Sequence, residues 1–178
     1  MAKTNNFRTR FKDQAEHFMA NFATLARHEG DGEFAQYCLD TRDEILERQK
    51  KLDLMFAHFD QFGIGCIFAS AQNDRWSLIL PDASVPGKFR YQQFASYGWV
   101  SHYTCETLDE VIFESYEAGM YVPAPADTLD RLSATREWAE GIERLDIITR
   151  HNRREIDWKS ACELMDKVRE KYASMEAA

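Results

Sequence analysis

The stretch from Gly63 to Cys105, GIGCIFASAQNDRWSLILPDASVPGKFRYQQFASYGWVSHYTC, decides the fold class. It holds four β-rich runs separated by turn-formers. Ile64 to Phe68 opens after a glycine, and Ala71-Gln72-Asn73-Asp74 closes it as a turn. Arg75 to Leu80 is the next run, ended by Pro81-Asp82, and Val85-Pro86-Gly87 makes the following turn. Lys88 to Phe94 and Trp99 to Thr104 are two more runs, joined by Ala95-Ser96-Tyr97-Gly98. Connections this short favour antiparallel neighbours, because parallel strands need a long crossover. The stretch therefore predicts a four-stranded antiparallel meander.

Both flanks change to helical periodicity. On the N-terminal side, Phe7, Phe11, Phe18, Phe22 and Leu25 recur as one face of an amphipathic helix. His28-Glu29-Gly30-Asp31-Gly32 supplies a stop and a turn, with Asp31 or Gly32 as the next cap. Phe34, Tyr37, Cys38, Ile45, Leu52, Met55, Phe56 and Phe59 continue as one long helix with an exposed middle, or as two helices. On the C-terminal side, Thr107 followed by Glu110 fits a capping box ahead of Leu108, Val111, Ile112 and Tyr116. Gly119 stops that helix, and Val122-Pro123-Ala124-Pro125-Ala126 reads as a stiff connector. A helix follows with Leu129, Leu132, Trp138 and Ile142 as its apolar side, and Ile147 to Tyr172 carry the remaining helical pattern. The expectation is one α+β domain over 1–178: a helical hairpin in 1–62, an antiparallel sheet in 63–105, and helices packed on the sheet in 106–178.

Composition limits the function classes. With 44% hydrophobic and 13% aromatic residues the chain can bury a core, which excludes wholesale disorder. The first residues lack the apolar region of a secretory signal, and the apolar run from Phe62 to Ala71 is too short to span a membrane. Cys38, Cys66, Cys105 and Cys162 form no CxxC pair. Free thiols in a cytoplasmic protein are the expectation.

The formal net charge is −8, and it has a location. Residues 106–146 hold eleven acidic residues against three basic ones, Arg131, Arg136 and Arg144. The acids include Glu106, Asp109, Glu110, Glu114, Glu117, Asp130, Glu137 and Glu140. Such a segment repels duplex phosphate and attracts a basic surface. Its bland reading is a set of solvated helix faces, with several acids near helix N-termini.

A second feature is aromatic. Phe89, Tyr91, Phe94, Tyr97, Trp99 and Tyr103 crowd the hairpin that ends the sheet stretch, and alternation puts them on both faces. Either helices cover both faces and all six are core, or some stand exposed as interface anchors, Tyr97 and Trp99 foremost. Stacking of single-stranded bases would use the same rings, but only Lys88 and Arg90 lie near them. Arg150-His151-Asn152-Arg153-Arg154 is the one basic cluster; it could grip phosphate, but Glu155 and Asp157 follow at once, which favours a solvated turn or a helix end complementing its dipole.

Motifs that fix a chemistry are lacking. The five His are scattered, so no local spacing suggests a metal site, and no cofactor motif occurs. Cys66 lies on a sheet element neighbouring that of His102, and Cys105 is three residues from it, so either thiol could meet that base. The main expectation is a non-catalytic protein that binds a basic partner such as a nucleic-acid-handling complex. Glu106, Asp109, Glu110, Glu114, Glu117, Asp130, Glu137, Glu140, Tyr97 and Trp99 would be its contacts. Small phage or plasmid proteins that inhibit host defence, such as anti-CRISPR and antirestriction proteins, offer an analogy of charge and size. The alternatives are a small enzyme with an assembled Cys/His site, or a nucleic-acid-binding protein using Arg150–Arg154 and the aromatic hairpin. Direct nucleic-acid binding is disfavoured by charge. A homodimer formed through the helical arms is a further possibility.

Overall fold

A five-stranded antiparallel sheet in the order β4-β3-β2-β1-β5 forms the middle layer. In the computed structural model residues 6–29 and 32–175 are described, with the backbone alone for 23–29. The elements are α1 (Arg10–Glu29), α2 (Gly32–Phe62), β1 (Ile67–Ser70), β2 (Arg75–Pro81), β3 (Phe89–Ala95) and β4 (Gly98–Cys105). They continue with α3 (Leu108–Glu117), β5 (Met120–Ala124), α4 (Thr128–Ser133), α5 (Arg136–Asn152) and α6 (Trp158–Ser174). The class is α+β, as the strand and helix patterns imply. Gly30 and Asp31, read as turn and cap, lie outside the described residues, and Gly32 is the first residue of α2.

The meander β1 to β4 stands as expected, but a fifth strand joins it. The segment read as a connector is β5, antiparallel to β1 with Phe68 opposite Pro123. Proline cannot donate to a ladder, so it is confined to edge strands, and β5 is an edge. The first strand also starts later than its β-rich run. Gly63 and Gly65 hold positive φ, which spends Ile64 to Cys66 on a turn before Ile67.

Helices cover both faces of the sheet, and the alternation of each strand sorts the side chains between them. Phe68, Ile79, Tyr91 and Cys105 point to one face, where Leu52, Met55 and Phe56 of α2 and Val111, Ile112 and Tyr116 of α3 close the core. The Ser77 and Ser115 hydroxyls, 2.6 Å apart and fully buried, fasten α3 to β2 on that side. Ile67, Leu78 and Phe94 point to the other face, against Trp138 and Ile142 of α5 and Leu129 and Leu132 of α4. α6 leans on α5 through Ile147, Ala161, Val168 and Tyr172.

α1 and α2 form an antiparallel hairpin. Phe11 meets Gln49 near one end and Phe22 meets Phe34 at the other. α2 is a single helix of 31 residues, about 46 Å long. The side chain of Gln49, buried in the exposed-looking middle of that helix, secures the start of α1. Its Oε1 accepts from the N–H groups of Phe11 and Lys12, both at 3.0 Å, and its Nε2 donates to the Arg8 carbonyl and to Asp53. Those amide N–H groups belong to the unsatisfied first turn of a helix, so Gln49 acts as a cap delivered from a distance.

Candidate functional site: a groove between the aromatic hairpin and α5

The groove is built from the turn of the β3–β4 hairpin and the flank of α5. Thr135 starts α5 by accepting from the Trp138 N–H through its hydroxyl at 3.2 Å. That start sets Trp138 beneath the hairpin, where its ring meets Trp99 edge-on at 5.3 Å and Phe94 at 6.2 Å. Trp99 reaches this face because of a register shift. Gln93 pairs with Ser101 and Phe94 with Trp99, so Val100 is an extra residue and the side chain at 99 changes sides.

Two glycines let the hairpin turn lie directly on the helix. Gly98 has φ 113°, and Gly141 sits so close to the turn that a Cβ there would fall 1.6 Å from the Tyr97 carbonyl oxygen. Beside this seam opens a groove of about 520 Å³, lined by Tyr97, Trp99, Glu137, Glu140, Arg144 and Leu145. Apolar and charged side chains share its lining, with Tyr97 and Leu145 more exposed than Glu140. Glu137 accepts from the Ser96 hydroxyl at 2.8 Å, and Glu140 pairs with Arg144 at 3.0 Å. The buried Arg144 Nε has no hydrogen-bond partner.

Four of the ten anticipated contact residues thus come together: Tyr97, Trp99, Glu137 and Glu140. Five others, Glu106, Asp109, Glu110, Glu114 and Glu117, lie on or just before α3, on the opposite face of the sheet. Asp130 is on α4. The acidic segment therefore makes no single flank. β5 runs along the sheet edge between α3 and α4, and so carries the chain from one helical layer to the other.

Several of the α3-side acids are also engaged internally. Glu106 pairs with Lys88, Asp109 with Arg8, and Glu117 with Arg48. The Glu110 carboxylate accepts from the Glu106 N–H, while its own N–H donates to the Thr107 hydroxyl. The cap anticipated at Thr107 is thus present, with the carboxylate reaching one residue further back than a standard box. Glu110 and Glu114 have no ion-pair partner among the described residues. Burial, then the charges of Glu110 and Glu117, hold the Glu114 carboxyl above its ordinary range.

Of the six hairpin aromatics, Tyr91 and Phe94 are buried and Phe89 and Trp99 are partly so. Tyr97 and Tyr103 stand about half exposed. Four of the six, Trp99 among them, thus lie in or against the core, and Tyr97 and Tyr103 stand outside it.

The Cys/His pairings do not form. Cys66 precedes β1 and His102 is on β4, about 14 Å away by strand spacing alone. Cys105 is on β4 with His102, but an odd separation in a regular register sends the two side chains to opposite faces. Burial pushes both thiols up to about 12, with Glu110, Glu114 and Glu106 adding to the effect at Cys105. Thiols held protonated in this way are poor nucleophiles. Arg150 to Arg154 form the end of α5 and its turn, with Arg153 as the C-cap and Arg154 at φ 61°. No metal-binding cluster of His, Cys, Asp and Glu occurs among the described residues. No helix among them is long and apolar enough to cross a membrane.

Sequence reasoning missed Thr135, Gly141 and Arg144. Thr135 was legible, since a Thr just ahead of an apolar helical periodicity, with Glu137 in the first turn, is a candidate N-cap. Gly141 inside a helical pattern signals a close approach, though not to what. Comparison with protein-family models, with curated proteins and with solved structures returned no match.

Proposed function

We propose that this chain is a non-catalytic protein-binding protein whose contact surface is the groove between the Tyr97 turn and α5. One observation carries the reading: two aromatic rings and two carboxylates from distant parts of the chain line a single groove of about 520 Å³. Tyr and Trp supply large, rigid contact area at interface centres. With Glu140 paired to Arg144, Glu137 leaves the groove one net negative charge, which favours a cationic partner. The burial of Cys66 and Cys105, with His102 facing neither, weighs against the Cys/His alternative.

The partner class we propose is a basic protein surface, such as the phosphate-binding cleft of a nucleic-acid-handling complex. A net charge of −8 on 178 residues suits a competitor for such a cleft. Anti-defence proteins of phages and plasmids, the anti-CRISPR and antirestriction kinds, are the biological setting that charge and size favour.

The test is cross-linking of the tagged chain in cells that express it, followed by mapping of the linked residues and a salt titration of the recovered complex. Links next to Tyr97 and Glu140 are expected, with binding that weakens as salt rises. A Tyr97→Ala, Glu140→Gln double variant is expected to bind about tenfold more weakly with an unchanged unfolding midpoint. Binding that ignores both the salt and the double variant refutes the assignment.

A further inference from the structure

The sheet has two edges, and they are treated differently. β5 is short, five residues, and carries Pro123, which blunts it against further pairing. β4 is eight residues long, contains neither Pro nor Lys, and has no strand on its outer side among the described residues. Ser101, His102 and Tyr103 in its middle are exposed. An uncovered edge of this length is a template for one more strand.

The two sides of that edge differ in chemistry. On the α3 side, Tyr103 stacks on Tyr91 at 5.9 Å, and just past the end of β4 the Glu110 carboxylate accepts from the N–H of Glu106, whose own carboxylate is paired with Lys88. On the α5 side stand the apolar Trp99, Leu145 and Ile148, with Glu137 and the Glu140–Arg144 pair lining the same groove. Side chains of an added strand would alternate between these two environments.

We propose that the outer edge of β4 is a docking site for an extended segment of the partner, with Lys or Arg at alternate positions and apolar residues between them. The inference rests on the protein-binding reading and specifies how the partner is held: main-chain hydrogen bonds along β4, cations toward α3, and apolar side chains toward Trp99. Charge selects this occupant over a second copy of the chain. Two-fold pairing of β4 with itself, about an axis through the sheet, would set the α3 carboxylates of both copies on the same face, where like charges repel.

The test is amide-resolved NMR of the isotope-labelled full chain titrated with a capped peptide of alternating Lys and Val. Two control peptides are used, one with Glu replacing Lys and one with Pro replacing Val. Shifts and slowed hydrogen exchange are expected along Trp99 to Thr104 with the Lys/Val peptide alone. Glu110→Gln with Glu114→Gln should weaken its binding about fivefold, read on protein whose amide spectrum shows the fold retained. Shifts confined to Tyr97, Glu137 and Glu140 overturn the edge assignment and leave the groove reading standing. No shift at either place overturns both. Equal response to the Glu/Val peptide, or self-association through β4, overturns the cationic segment as occupant.

Discussion

Replacing Gly141 by alanine is expected to destabilise the protein, although alanine is the better helix former. In an exposed helix interior that change gains about 1 kcal/mol. Here the added Cβ would stand 1.6 Å from the Tyr97 carbonyl oxygen, 2.6 Å from its carbon and 3.2 Å from its Cα. Carbon and oxygen atoms approach to about 3.3 Å without strain, so hairpin and helix would have to part by about 1.7 Å. The obstacle is main chain, which cannot swing aside as a side-chain tip can. Overpacking of this kind costs about 3 kcal/mol, and the helix-propensity gain leaves a net loss of about 2 kcal/mol. For a chain of this length that lowers the thermal midpoint by about 4–8 °C. The same displacement loosens the edge-on contact of Trp99 with Trp138, so tryptophan fluorescence should change in the folded baseline. Urea and thermal unfolding of Gly141→Ala against the wild type is the assay. A midpoint equal to or above the wild type's would refute the close seam, and with it the shape of the groove.

Gln49→Leu keeps the volume but strands the Phe11 and Lys12 N–H groups in the interior, and is expected to cost about 2 kcal/mol in urea unfolding. A loss within error would show that α1 starts without that cap. With Ellman's reagent near neutral pH, Cys162 is expected to react rapidly in the folded protein. Cys38, Cys66 and Cys105 should wait for unfolding, because all three are buried. Rapid labelling of Cys66 or Cys105, read by mass spectrometry, would restore the enzyme alternative.

Much of the local structure was legible because its causes are local. The turns at 71–74 and 95–98, the cap at Thr107 and the helical stripes each depend on a few neighbouring residues. The site was half legible. Tyr97, Trp99, Glu137 and Glu140 stood out by type, but nothing near any one of them says that a turn and a helix 40 residues apart share a seam. Gly141 is informative only once Tyr97 lies against it. The buried role of Gln49 was hidden in the same way, since a polar residue in a charged run looks solvated until another helix needs its oxygen.

By itself, then, the chain's alternation and capping residues determined that four strands meander between helical arms, and that the aromatic hairpin must divide its rings between two faces. Only the tertiary structure decided which rings stay outside, that Val100 turns Trp99 toward α5, and that Pro123 sits on an added edge strand. It also decided that the acids of 106–146 are parted by the sheet. The physical reason is range: a residue's neighbours in sequence set its backbone and its face. The side of the sheet a helix takes depends instead on where the chain rounds the sheet's edge, and β5 makes that passage beside β1, a partner more than fifty residues earlier in the sequence.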